Sequence, residues 1–227
     1  ALRLPAGTNV DAVAGQVEVQ DAGSQIVSLA ARARAGDRVV DLCAGGGGKT
    51  LALAAMMDNA GHILATDIDR ARLSRLAPRA EKAGVTIVET RLLDPKREAT
   101  ALADWSEAAD VVLIDAPCSG TGTWRRNPEA RWRLTGDRLD RFAEQQRHVL
   151  EVGAGLVRSG GALIYIVCSL LDAEGAGQVD AFLTAHLQWQ PEPLDLPLGT
   201  ERGPGLRLDP ASHGTDGFFV ARLRRAC

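Results

Sequence analysis

The sequence predicts a doubly wound α/β fold built on a mostly parallel sheet. Short, nearly continuous aliphatic runs alternate with helix-period segments, and several of the runs end at or just before a cysteine or an aspartate. Runs without polar alternation belong to strands covered on both faces, and their alternation with helices implies right-handed crossovers.

Each element follows from its own stretch. "RVVDLC" (38–43) reads as a buried strand and leads through "AGGGGKT" into a helix from about 48 to 59. "HILATD" (62–67) is the second strand, with Asp69 placed to cap the helix that follows. "VTIVET" (85–90) is the third and precedes a polar stretch containing Asp94. "DVVLID" (110–115) is the fourth, followed by a long loop and a helix over 137–158. "GALIYIVCS" (161–169) leads to a helix within 172–187, and "GTDGFFVARLRR" (214–225) reads as one more strand. The proline-rich "WQPEPLDLPLGTERGPG" (189–205) is expected to be a surface connection.

The 227 residues are 45% hydrophobic and 24% charged, which suits one soluble domain with a sizeable core. No apolar run approaches the roughly 18 residues that span a bilayer, so no membrane partner is expected. The four cysteines (43, 118, 168, 227) lack metal-ligand spacing; they read as cytosolic thiols, with no metal and a cytoplasmic setting. Net charge is −3, yet residues 124–147 carry seven arginines against four acids. Such a local basic rim permits contact with a phosphate backbone. Arg222, Arg224 and Arg225 form a second basic cluster.

In a doubly wound sheet, ligands bind beyond the carboxyl ends of the strands, where the strand order reverses. Cys43, Asp67, Asp94, Asp115, Cys118 and Cys168 all fall at such ends. Gly48, Lys49 and Thr50 fit a phosphate-cradling P-loop, but Cys43 stands where its first glycine belongs, so a nucleotide hydrolase is the weaker alternative. Asp67, nineteen residues after Gly48, is placed to hold a ribose diol. A nucleoside gripped by Asp67 with its tail over Gly45, Gly46, Gly47 and Gly48 fits S-adenosylmethionine, whose carboxylate can take the place of a phosphate. Cys118 and Cys168, fifty residues apart, end the fourth and fifth strands, which the usual order makes neighbours roughly 4.8 Å apart. Both thiols are then expected to face one cleft.

"DLCAGGGGKT", "TDID", "DAPCSGTGTWRRNP", "VCS" and "HGTDGFF", with "EVQDAGSQ" (18–25) ahead of them, together resemble the RNA cytosine-5 methyltransferases of the bacterial Sun/Fmu type and their eukaryotic nucleolar relatives. The resemblance spans essentially the whole chain. It implies a seven-stranded class I, Rossmann-like fold and one catalytic domain over 1–227, with residues 1–36 as a lead-in segment and a helix packed on it. An RNA-binding region ahead of Ala1 is implied as well. It also implies transfer of a methyl group from S-adenosylmethionine to C5 of a cytosine in RNA, 16S rRNA foremost. Cys43, Ala44, Gly45, Gly46, Gly47, Gly48 and Lys49 would line the methionine end, Asp67 the ribose and Asp94 the adenine. Asp115 would sit between cofactor and base, Cys168 would attack C6, and Cys118 would assist release. Where the family has Ala-Pro after Cys-Ala, this chain has Gly45 and Gly46, losing a proline that stiffens the turn. Trp124, Arg125 and Arg126 are candidates to guide or stack RNA. A non-catalytic RNA-binding scaffold of the same fold is a further alternative. Nothing in the sequence speaks to oligomeric state.

Overall fold

The computed structural model describes residue 4, residues 8–10 and residues 17–227, so the expected lead-in segment lies partly outside the described residues. The aliphatic runs form β1 (Arg38–Asp41), β2 (His62–Asp67), β3 (Val88–Leu92), β4 (Ala109–Asp115) and β5 (Val157–Val167). These five strands pair in parallel in the order β3-β2-β1-β4-β5. The order reverses between β1 and β4. Successive residues of β1 and β4 point to opposite faces, as the strand period of two requires. Val39, Val111 and Leu113 pack in one core cluster with Val27, Leu53 and Met57. Val40, Val112 and Ile114 pack in the other with Leu150 and Phe182.

The helices that cover these faces are α1 (Ala22–Ser28), α2 (Gly48–Met56), α3 (Arg70–Leu73), α4 (Leu76–Lys82), α5 (Glu98–Ala101), α6 (Gly136–Leu156), α7 (Ala176–Ala185) and α8 (Pro210–His213). Asp69 caps α3 as expected, accepting from the amides of Ala71 and Arg72. The third strand begins three residues later than the sequence suggests. Val85 is used instead to close α4, its N–H donating to the Ala80 carbonyl.

The mostly parallel α/β architecture agrees with expectation, but the sheet has nine strands among the described residues, not seven. The region expected to be a surface connection contributes β6 (Trp189–Pro191) and β7 (Thr200–Arg202), and β8 (Gly205–Leu208) follows directly. β9 (Phe218–Arg225) runs antiparallel to β5, β6 and β8, and β7 closes a hairpin on β8. Prolines disguised these strands. Pro191 ends β6, Pro193 and Pro197 lie in the link, and Pro204 sits in the hairpin turn, where no ladder N–H is needed.

Candidate active site

The glycine turn joins β1 to α2 at the point of strand reversal. Gly47 has φ +86°, and a Cβ there would lie 2.2 Å from Leu76 Cδ1, so both conformation and space demand glycine. Gly45, at φ +55°, donates its N–H to Asp67 Oδ2 at 2.8 Å, while the Asp69 N–H donates to Asp67 Oδ1 at 2.8 Å. The Ala44 N–H donates to the Thr66 carbonyl at 2.8 Å. Arg79 donates to the Gly46 carbonyl, and Arg72 Nη1 lies 4.0 Å from Asp67 Oδ2. The leading amides of α2 lack intrahelical acceptors and carry the positive end of the helix dipole. Asp94 is exposed, one residue past Leu93, whose N–H donates to the Asp67 carbonyl at 3.0 Å.

Beneath the turn, Asp41 is fully buried and accepts from Thr50 Oγ1 at 2.7 Å, with its other oxygen unpartnered. Burial pushes its pKa up to about 7 against the opposing Thr50 bond. Burial likewise pushes the Cys43 thiol up, helped by Asp67 and Asp41, so Cys43 remains a protonated wall of the cleft.

The chemistry-bearing groups meet at the ends of β4 and β5. Cys118 Sγ and Cys168 Sγ are 3.4 Å apart. The S–H of Cys118 holds the Cys168 thiol below its ordinary value; burial and Asp115 oppose this, and Lys49 assists. The same bond, with burial, pushes Cys118 well above. Of the two thiols, Cys168 is thus the more readily ionised and Cys118 the less. Lys49 Nζ donates to Asp115 Oδ2 at 2.7 Å and to Ser24 Oγ at 3.2 Å, and lies 5.5 Å from the Phe218 ring centroid. Burial alone would depress Lys49, but the bonded and charged Asp115 holds it above its ordinary value. Its ammonium is committed inside the cleft, which removes the phosphate contact the P-loop alternative needs.

The candidate RNA contacts separate. Arg125 and Arg126 both ion-pair with the fully buried Asp216, bracing the Cys118 loop against the segment before β9. The Trp124 indole N–H is buried without a partner. Trp132 is instead 78% exposed, with the Arg131 guanidinium 4.6 Å from its ring centroid. A cavity of about 390 Å³ is lined by Ser119, Arg133, Arg138 and Phe142 among others. In the second basic cluster, Arg222 is buried and donates to the carbonyls of Ala30 and Ala31; Arg225 donates to the Val157 carbonyl. That cluster braces the sheet.

Sequence reasoning missed Ser24, Arg72, Arg79 and Glu174, which support the site from elsewhere in the chain. Only Ser24 had a signal, lying inside the "EVQDAGSQ" segment.

A glycine turn at the strand reversal, an acid ending β2 and an antiparallel β9 beside β5 define the Rossmann-like class I methyltransferase fold. An S-adenosylmethionine-dependent O-methyltransferase from Thermotoga maritima, 13% identical, shares that fold with a TM-score of 0.55, over 96% of this chain and 70% of its own. Within the class, this chain belongs to the 16S rRNA methyltransferase RsmB/F family, whose model matches residues 28–224. It is 39% identical to ribosomal RNA small subunit methyltransferase B of Thermus thermophilus, over 96% of this chain and 52% of the relative. The probable ribosomal RNA small subunit methyltransferase B of a Synechocystis species is 36% identical, over 92% and 47%. The crystal structure of NSun6 from Pyrococcus horikoshii with SFG superposes with a TM-score of 0.86 at 28% identity, covering 99% of this chain and 57% of that one. The chain spans about half the length of the curated relatives it matches.

Proposed function

We propose that this chain carries the catalytic domain of an S-adenosylmethionine-dependent methyltransferase acting on C5 of a cytosine in small-subunit ribosomal RNA. The observation that carries this reading is the dithiol of Cys118 and Cys168, held at 3.4 Å beside the Lys49–Asp115 pair. The relatives' names support a ribosomal RNA substrate and, with it, a cytoplasmic setting.

The residues of the turn fit S-adenosylmethionine. Asp67 accepts two backbone N–H bonds and keeps lone pairs for ribose hydroxyls. The free amides at the start of α2, with Arg72 and Arg79 nearby, suit the carboxylate of the methionine end. Asp94, one residue past Leu93, whose N–H donates to the Asp67 carbonyl, is the acid assigned to the adenine end. Bound there, the cofactor supplies an electrophilic methyl group on a sulfonium.

C5 of cytosine is a poor nucleophile. Addition of the Cys168 thiolate to C6 turns the ring into an enamine, so that one hard step becomes easier ones. A proton held between N3 and Asp115, which Lys49 fixes in place, would neutralise the negative charge arriving on the ring. Once C5 carries its methyl, solvent water entering the cleft accepts the C5 proton, and the C–H electron pair forms the C5=C6 double bond. As it forms, the Cys168–C6 bond breaks, with sulfur leaving as thiolate. The Cys118 S–H then hydrogen-bonds to the departing thiolate across the short Cys118–Cys168 contact. The base must leave its stack to reach the cleft. Trp132, with Arg131 and Arg133, offers a platform and charge for the flanking strand.

Transfer of tritium from labelled S-adenosylmethionine to 16S rRNA, with bisulfite sequencing of the product, tests this reading. Incorporation with one cytosine becoming bisulfite-resistant is the expected result. Absence of transfer would favour the non-catalytic scaffold, and incorporation without a resistant cytosine would exclude C5 chemistry.

A further inference from the structure

Glu174 lies between β5 and α7 and is only 1% exposed. Among the described residues no ion pair reaches it. Four neutral donors do. The Ser119 N–H and Gln146 Nε2 donate to Oε1 at 2.8 and 3.2 Å, while Ser169 Oγ at 2.6 Å and Ser119 Oγ donate to Oε2. These fill all of the roughly four lone-pair positions a carboxylate has. Its backbone is pinned too, since the buried Tyr165 hydroxyl of β5 donates to the Glu174 carbonyl at 2.6 Å.

The donors have a pattern. Ser119 follows Cys118 and Ser169 follows Cys168, so one carboxylate ties together two loops at points one residue from each sulfur. Gln146 of α6 also donates to the carbonyl of Pro117, which precedes Cys118, at 2.9 Å. Thr121 Oγ1 lies 3.0 Å from Ser169 Oγ and accepts from the Leu170 N–H at 2.9 Å, a second, weaker tie between the same loops. A buried carboxylate is expensive to keep. Here three of its four bonds go to the two thiol loops, and the fourth to the side chain that braces one of them.

We propose that Glu174 is a positioning residue that clamps the Cys118 and Cys168 loops and so sets the separation and alignment of the two sulfurs. Its catalytic value rests on Cys168 being the nucleophile. The clamp itself is read out by thiol chemistry, without RNA or methyl transfer, so it and the activity fail separately.

Charge and geometry make opposite predictions. The groups facing the two sulfurs are Asp115, Lys49, Arg126, Tyr165 and Glu174. As a negative charge, Glu174 opposes thiolate formation, so a purely electrostatic role predicts that Glu174→Gln makes Cys168 more acidic. As a clamp it keeps Cys118 aimed at Cys168, so Glu174→Gln loosens that bond and makes Cys168 less acidic.

The test is the pH profile of Cys168 alkylation by iodoacetamide, followed by peptide mass spectrometry on the full chain. Wild type, Glu174→Gln and the double variant Ser119→Ala/Ser169→Ala are compared. The double variant leaves the carboxylate in place, and S-adenosylmethionine binding by calorimetry reports the intact fold of each. The expected result is a midpoint raised by about one pH unit in both variants, a tenfold loss of thiolate at fixed pH below it. A midpoint that falls or stays put in variants that still bind S-adenosylmethionine would overturn the clamp. If Glu174→Gln fails to bind, the double variant alone decides.

Discussion

Cys118 Sγ and Cys168 Sγ stand 3.4 Å apart, within hydrogen-bonding reach and well outside the roughly 2.05 Å of a disulfide. The contact divides labour between two chemically identical groups, because the donor of an S–H bond resists ionisation and its acceptor is helped to ionise. Removing the donor should therefore cost the acceptor its acidity. Cys118→Ala is expected to move the alkylation midpoint of Cys168 upward, whereas Cys168→Ala should leave Cys118 an easier acid than in the wild type. Peptide-level alkylation across pH 6 to 10 checks both directions.

Gly47→Ala forces a side chain into the left-handed region and onto Leu76. The expected cost is on the order of 2 kcal/mol. The turn distorts as well, so calorimetry should show S-adenosylmethionine binding weakened by more than the loss of stability alone explains.

Asp41 titrates near 7 in the folded chain, against 3.8 as its ordinary value. Between those values the folded state holds a proton that the unfolded state has released, so this group's contribution falls as pH rises from about 4 through about 7. The slope is about 1.4 kcal/mol per pH unit. Asp41→Asn carries no such slope. Urea unfolding at pH 5 and pH 8 should show wild type losing stability relative to Asp41→Asn on going to pH 8; an unchanged gap would contradict the burial argument.

Lys49→Met leaves Asp115 without its partner and withdraws a cation that favours the Cys168 thiolate. Methyl transfer should be lost, with thermal unfolding showing a destabilisation of about 2 kcal/mol. Retained transfer would remove Lys49 and Asp115 from the mechanism.

The sequence was most legible where function places an unusual residue at the end of an aliphatic run. Cys118 and Cys168 could be paired before any coordinates because parallel strands bring their ends together by topology. Asp67 could be related to the glycine turn for the same reason, and it bonds to Gly45. Supports that act across the fold left no local pattern. Glu174 is an acid near the start of a helix, ordinarily a surface position, and only the convergence of two loops and α6 makes it buried. Arg72 and Arg79 lie on helices whose polar faces look solvated in sequence, yet they reach back over the glycine turn. The strands β6 and β7 were hidden because proline reads as loop wherever it stands, even at strand ends that need no donor.

The central claim is that Cys168 forms the bond to the base and Cys118 helps to break it. Cys118→Ala and Cys168→Ala, each incubated with S-adenosylmethionine and 16S rRNA and run on a denaturing gel under reducing conditions, test it most directly. A persistent protein–RNA adduct with Cys118→Ala and none with Cys168→Ala is the predicted result. An adduct that forms with Cys168→Ala, or methylation that survives that substitution, would contradict the account.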